Sequence, residues 1–134
     1  RNDGRVFVKN DIRVDGSYLL VEKLLISTTA PTIASGGCTT GSAQSVSASN
    51  GTAAFTITLG GATCGSTITL TMPGATAGWV CDAHNITTPA SNVVEQSGGA
   101  PAASTVELTN YVRTTGIAGN FTGAEVLAVK CLAY

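Results

Sequence analysis

The chain has 134 residues, a net charge of −1 and a composition that is 43% hydrophobic but only 5% aromatic. That length holds one full domain and a short appendage. No basic cluster exists to neutralise phosphates or anionic lipid, so a nucleic-acid partner is not expected. The longest apolar run, Leu24-Leu25-Ile26, is far too short to cross a bilayer, so no membrane insertion is expected.

The charges are unevenly placed. Arg1 to Lys23 carries nine of the 15, and the 58 positions from Leu24 to Cys81 carry none. An average segment of that length would hold roughly 14. Two kinds of polypeptide are joined end to end, which predicts a stalk over 1–30 followed by a head over 31–134. The chain opens on Arg1 rather than Met, as a piece of a longer polypeptide or a trimmed product would.

Residues 5–15 (RVFVKNDIRVD) alternate, and 18–26 (YLLVEKLLI) form a second apolar run that reads as strand. Two or three short strands are marginal in water without a covering layer. This predicts burial by sister chains, with three intertwined as a homotrimer. Residues 27–53 are rich in Ser, Thr, Gly and Ala, and read as a linker and first loop, with a strand starting near Thr32.

Beyond this point the two-residue period is clean. Phe55, Ile57 and Leu59 share a face, as do Ile68, Leu70 and Met72. The glycines between these runs read as a hairpin. Trp79, Cys81 and Ala83 point one way, and Val80, Asp82 and His84 the other. A loop is expected around Pro89 and Gly98-Gly99. Val106 and Leu108 then face inward, leaving Glu107, Thr109, Tyr111 and Arg113 outward. In the closing run, Leu127, Val129 and Cys131 share a face. A paired last strand is expected to tie down the C-terminus, as at the true end of a protein. Short strands at intervals of about ten residues predict an all-β fold, an antiparallel β-sandwich of jelly-roll type.

Cys38, Cys64, Cys81 and Cys131 lack the tight spacing of a zinc site. They allow three disulfide pairings, but buried free thiols acting as small hydrophobes are the expectation. Asn50, Asn85 and Asn120 head Asn-x-Thr triplets, which matter only if the source glycosylates exported proteins.

Four phrases now stand together: TAPTIASGGCTTGS, the alternating TITLGG, GWVCDAHN and the closing FTGAEVLAVKCLAY. Over roughly 30–134 they resemble the C-terminal domains of bacteriophage tail fibres and tailspikes. Cys38 stands where that family often has Phe, and Glu125 where it usually has Asp. The resemblance implies a small β-sandwich head on a trimeric β-structured shaft, carried on the virion tail and assembled in the bacterial host cytoplasm. It also implies attachment to a bacterial surface glycan (lipopolysaccharide or capsule) or an outer-membrane protein.

Catalysis is not expected. Glycoside hydrolysis needs two carboxylates across the scissile bond, and the head offers only Asp82, Glu95, Glu107 and Glu125. A Ser-His-Asp triad would have to use His84, and no G-x-S-x-G elbow is present. The lone His84 lacks the His-x-His spacing of a metal-binding shaft, so no metal or cofactor is expected. Trp79 shares a face with Cys81 and Ala83 and reads as core filler. Tyr111 and Arg113 take the outward parity of one strand and present a ring beside a guanidinium. With Asp82 and His84 they form the candidate ligand-binding set.

Overall fold

The computed structural model describes residues 29–38, 44–61, 63–98 and 103–134. Apart from Thr29 and Ala30, the segment read as a stalk lies outside them. All regular structure among the described residues is strand. The elements are β1 (Thr32–Cys38), β2 (Ser45–Ser47), β3 (Phe55–Thr58), β4 (Cys64–Thr71), β5 (Trp79–Asn85), β6 (Asn92–Ser97), β7 (Thr105–Val112) and β8 (Val126–Ala133). They form one antiparallel sheet in the order β1-β4-β7-β6-β5-β8-β3-β2. Its two edge strands return beside each other, so the sheet is nearly closed.

The pleat places alternate side chains inside, as the sequence pattern requires. Along β5 the burial alternates at every residue from Trp79 to Asn85. Ile57, Ile68, Leu70, Leu108 and Leu127 are fully buried. Each contributes about 1.5–3 kcal/mol through burial. Trp79 is core, with its indole N–H donating to the Pro73 carbonyl at 2.8 Å.

The expected β3–β4 hairpin does not form. β3 pairs with β8 and β2, whereas β4 pairs with β1 and β7. The glycines between them carry the chain across instead of turning it back. Leu59 N–H donates to Glu125 O and Ala124 N–H to Gly60 O, so this segment extends the β8 side of the sheet. Gly123 permits that approach, because a Cβ there would strike the Gly61 carbonyl. Two strands fall where loops were expected. β2 is only three residues of Ser-Val-Ser, and β6 lies in the supposed loop after Pro89.

Thr109 is also corrected from outward to buried. It lies diagonally across from Ser97, whose hydroxyl bonds both Thr109 and, at 2.9 Å, Glu107.

The cysteines are not free thiols. Cys38 pairs with Cys64 and Cys81 with Cys131. Both bonds join residues directly opposite on neighbouring strands, with Cα atoms 3.8 and 4.2 Å apart. Such short spacing belongs to the pairs that do not exchange backbone hydrogen bonds. Their amides therefore look elsewhere. Cys131 N–H donates to the Thr52 carbonyl. Cys81 N–H donates to the Gln96 side-chain oxygen at 2.6 Å, and the same amide donates back to Trp79 O. Cys38 N–H donates likewise to Gln44 at 2.9 Å, which returns a bond to Gly36 O. At each disulfide a glutamine amide thus imitates one residue of a missing strand.

Candidate functional site

The outer face of β8, β5, β6 and β7 carries the chemistry. Parity fixes which residues reach it, and pairing decides which ones meet. Thr56 of β3, Ala128 of β8 and His84 of β5 stand in one row. In the next, Asp82 is paired directly with Lys130. Ala128 is the smallest side chain in its row, so it leaves a trough with Thr56 and His84 as walls. The trough has a volume of about 310 Å³, and Ala48, Ala54, Asp82 and Lys130 are also in its lining, with Phe55 and Val129.

Asp82 links the charged end of the trough. Its carboxylate accepts from Lys130 Nζ at 3.0 Å and lies 3.4 Å from His84 Nε2. All three side chains are exposed, so solvent screens the pairing. The hydrogen bond from Lys130 holds the Asp82 carboxyl below its usual pKa; slight burial opposes this, and His84 adds a smaller pull. The arrangement offers an acceptor flanked by two donors above a small apolar floor.

Continuing across the sheet, the Ala83–Val94 pairing puts His84 beside Val93, and Val93 is paired with Tyr111. Arg113 follows just past β7, its backbone N–H donating to Ser91 O and its guanidinium to Pro89 O at 3.1 Å. Asp82, His84, Tyr111 and Arg113 therefore lie on one face, the first two on β5 and the others on or just beyond β7, with β6 between. Tyr111 is half-buried, and its backbone forms an isolated antiparallel bridge with Ala118. His84 and Arg113 line a second, smaller hollow of about 70 Å³ together with Asn85 and Asn92.

Lys130 is absent from the set read from sequence. Its signal was present, as the one cation in the closing strand and at the parity opposite Leu127, Val129 and Cys131. Only the β5–β8 register shows that it faces Asp82. Glu125 is the other surprise. It is 2% exposed, and its carboxylate accepts from Thr122 N–H at 2.8 Å, the Thr88 hydroxyl at 2.6 Å and Asn92 Nδ2 at 3.4 Å. It pins the β5–β6 turn to the start of β8.

The same outer face is apolar at one end. Val80 and Leu132 are cross-strand partners, each 54% exposed, with Tyr134 two residues beyond Leu132. Among the described residues no group of three His, Cys, Asp or Glu side chains is placed to hold a metal ion. No family model, curated protein or solved structure matches this chain.

Proposed function

We propose that the chain is the receptor-binding tip of a bacteriophage tail fibre or tailspike. It adopts a jelly-roll-like head, assembles as a homotrimer and attaches the virion to a bacterial surface glycan. The carrying observation is the trough over Ala128, whose walls and rim gather Asp82, His84, Lys130 and Thr56 on one face. A sugar ring has an apolar face and a rim of hydroxyls. The alanines accept the first, while the Asp82 carboxylate with its two donors meets the second. Binding alone is the activity, with no covalent step. Three weak sites on one tip, repeated over several fibres, multiply through effective concentration. The two disulfides suit the oxidising medium that a released virion meets.

The test is adsorption of the purified chain to host cells and to a glycan array. Asp82→Ala and Lys130→Ala should each weaken glycan binding about tenfold, the scale of one charge-assisted hydrogen bond. Full retention of binding in both variants would remove the trough from the attachment surface.

The Val80–Leu132 pair with Tyr134 favours a second reading, a head that trimerises and caps the fibre and has no ligand of its own. Leu132→Ser would then reduce assembly, seen as a smaller sedimenting species, and the unaltered trimer would bind no glycan on the array.

A further inference from the structure

The sheet is open along one seam. β1 and β2 are its two edges, and among the described residues they share no ladder. The Gln44 amide crosses the seam at one end, where it bonds Cys38 N–H and Gly36 O. Away from that bridge the edges enclose a hollow of about 360 Å³, lined by Ala30, Pro31, Thr32 and Ile33 on one side and by Gln44, Ser45 and Val46 on the other.

Two of these residues show what the hollow lacks. Ile33 is paired with Leu70 and Val46 with Ile57, and both partners are fully buried. By the pleat, Ile33 and Val46 take the same inward parity as those partners. Both pack against the core yet stay only half-buried. Each stands on an edge, and among the described residues no strand lies beyond it. Water therefore reaches the core between them.

An extended segment adds to such an edge through main-chain hydrogen bonds, and its alternate side chains fill the space beneath. Here it has to be uncharged, with aliphatic side chains two positions apart. The chain supplies one at the mouth of the hollow. Residues 24–26 are Leu-Leu-Ile, three positions before Thr29, and Ala30 and Pro31 already line the hollow. The chain bends at Thr29. Ser27-Thr28-Thr29-Ala30-Pro31 separates the run from β1. That is within the length of a hairpin loop, and Ser and Pro are turn residues. The charge also matches. The lining has none, and the chain carries none from Leu24 to Cys81.

We infer that residues 24–26 double back along β1 and close the seam as a further strand, with Leu24 and Ile26 covering Ile33 and Val46. The start of the head then moves from 31 to 24, onto the boundary where the charges stop. A paired strand, instead of a loose tether, joins the head to the charged segment 1–23 and sets the direction in which it points. The inference goes beyond the glycan-binding reading and holds or fails without it.

The test uses the full chain. The amides of residues 24–26 should exchange with deuterium roughly a hundredfold more slowly than an unprotected backbone. The methyl groups of Leu24 and Ile26 should show nuclear Overhauser contacts to Ile33 and Val46. Ile26→Asp puts a charge into the uncharged hollow and should return these amides to the unprotected rate. The described core does not include Ile26, so the Trp79 indole signal should stay in place and report a folded head. A mixture of carbon-13-labelled and unlabelled chains separates the occupants. Contacts within one chain support the inference. Contacts only between chains would overturn it in favour of strand exchange with a second copy. Fast exchange at 24–26 without methyl contacts overturns it outright, and so does protection that survives Ile26→Asp.

Discussion

The two disulfides are built alike and placed differently. Cys81–Cys131 lies in the middle of the sheet between β5 and β8, while Cys38–Cys64 ties the edge strand β1 to β4. Each leaves a cysteine amide without a ladder partner, and each is answered by a glutamine. Gln96 comes from the neighbouring strand β6 and holds β5 beyond the Ala83–Val94 pair. Gln44 immediately precedes β2 and reaches the opposite edge, where it bridges the seam of the sheet. A side-chain amide can thus repair a ladder in the interior or close one at its margin. Its value should depend on how far water is kept out.

Removing the crosslinks should give the largest effects. In the chain-entropy account, loops of 50 and 26 residues correspond to about 4 and 3.5 kcal/mol. Cys81→Ala with Cys131→Ala should therefore lower the denaturation midpoint more than Cys38→Ala with Cys64→Ala. Equal midpoints, or the reverse order, would show that burial rather than loop length sets the difference. Next come the glutamines. Gln96→Ala leaves the Cys81 N–H unanswered within the sheet and should cost about 2–3 kcal/mol by urea denaturation. Gln44→Ala acts at an edge that water reaches and should cost about 1 kcal/mol. A larger loss for Gln44→Ala would mean that closing the seam matters more than keeping β5 on β6.

The smallest expected effect belongs to the exposed cluster on the outer face. Asp82 has a depressed pKa in the folded chain, so its contribution is present above the ordinary carboxyl value of 3.8. It is lost as the pH falls through the lower folded value. Lys130→Ala removes the main cause and should flatten that acid limb, with under about 1 kcal/mol lost near neutrality because solvent screens the pair. Thermal melts of both proteins from neutral to acid pH give the measurement. An unchanged acid limb in Lys130→Ala would assign the depression to His84 instead.

Much of the candidate face was readable before any coordinates. The alternation around Val80, Asp82 and His84 put them outside, and the same rule placed Tyr111 and Arg113 on an outward parity. Lys130 escaped because parity names a face but not a neighbour. Asn85 escaped for a different reason. It takes the inward parity of β5, and nothing local shows that capping Thr87 and Thr88 uses its oxygen and strands its nitrogen. Glu125 reads from sequence as one more carboxylate, although the fold buries it among Thr88, Thr122 and Asn92. β6 is not legible in the sequence, because Asn-Val-Val-Glu-Gln-Ser does not alternate cleanly and lies between the Pro89 and Gly98-Gly99 loop signals. It is nevertheless central, paired with β5 and β7.

By itself the amino-acid order determined an all-β chain and the inward sets of β3, β4, β5 and β8. Both follow from a pleat that turns each successive side chain to the opposite face, which is a local property. Tertiary structure decided that β3 lies beside β8 rather than β4, which cysteines meet, and that Lys130 stands against Asp82. Those outcomes depend on register between segments distant along the chain, where no short-range pattern sets the partner.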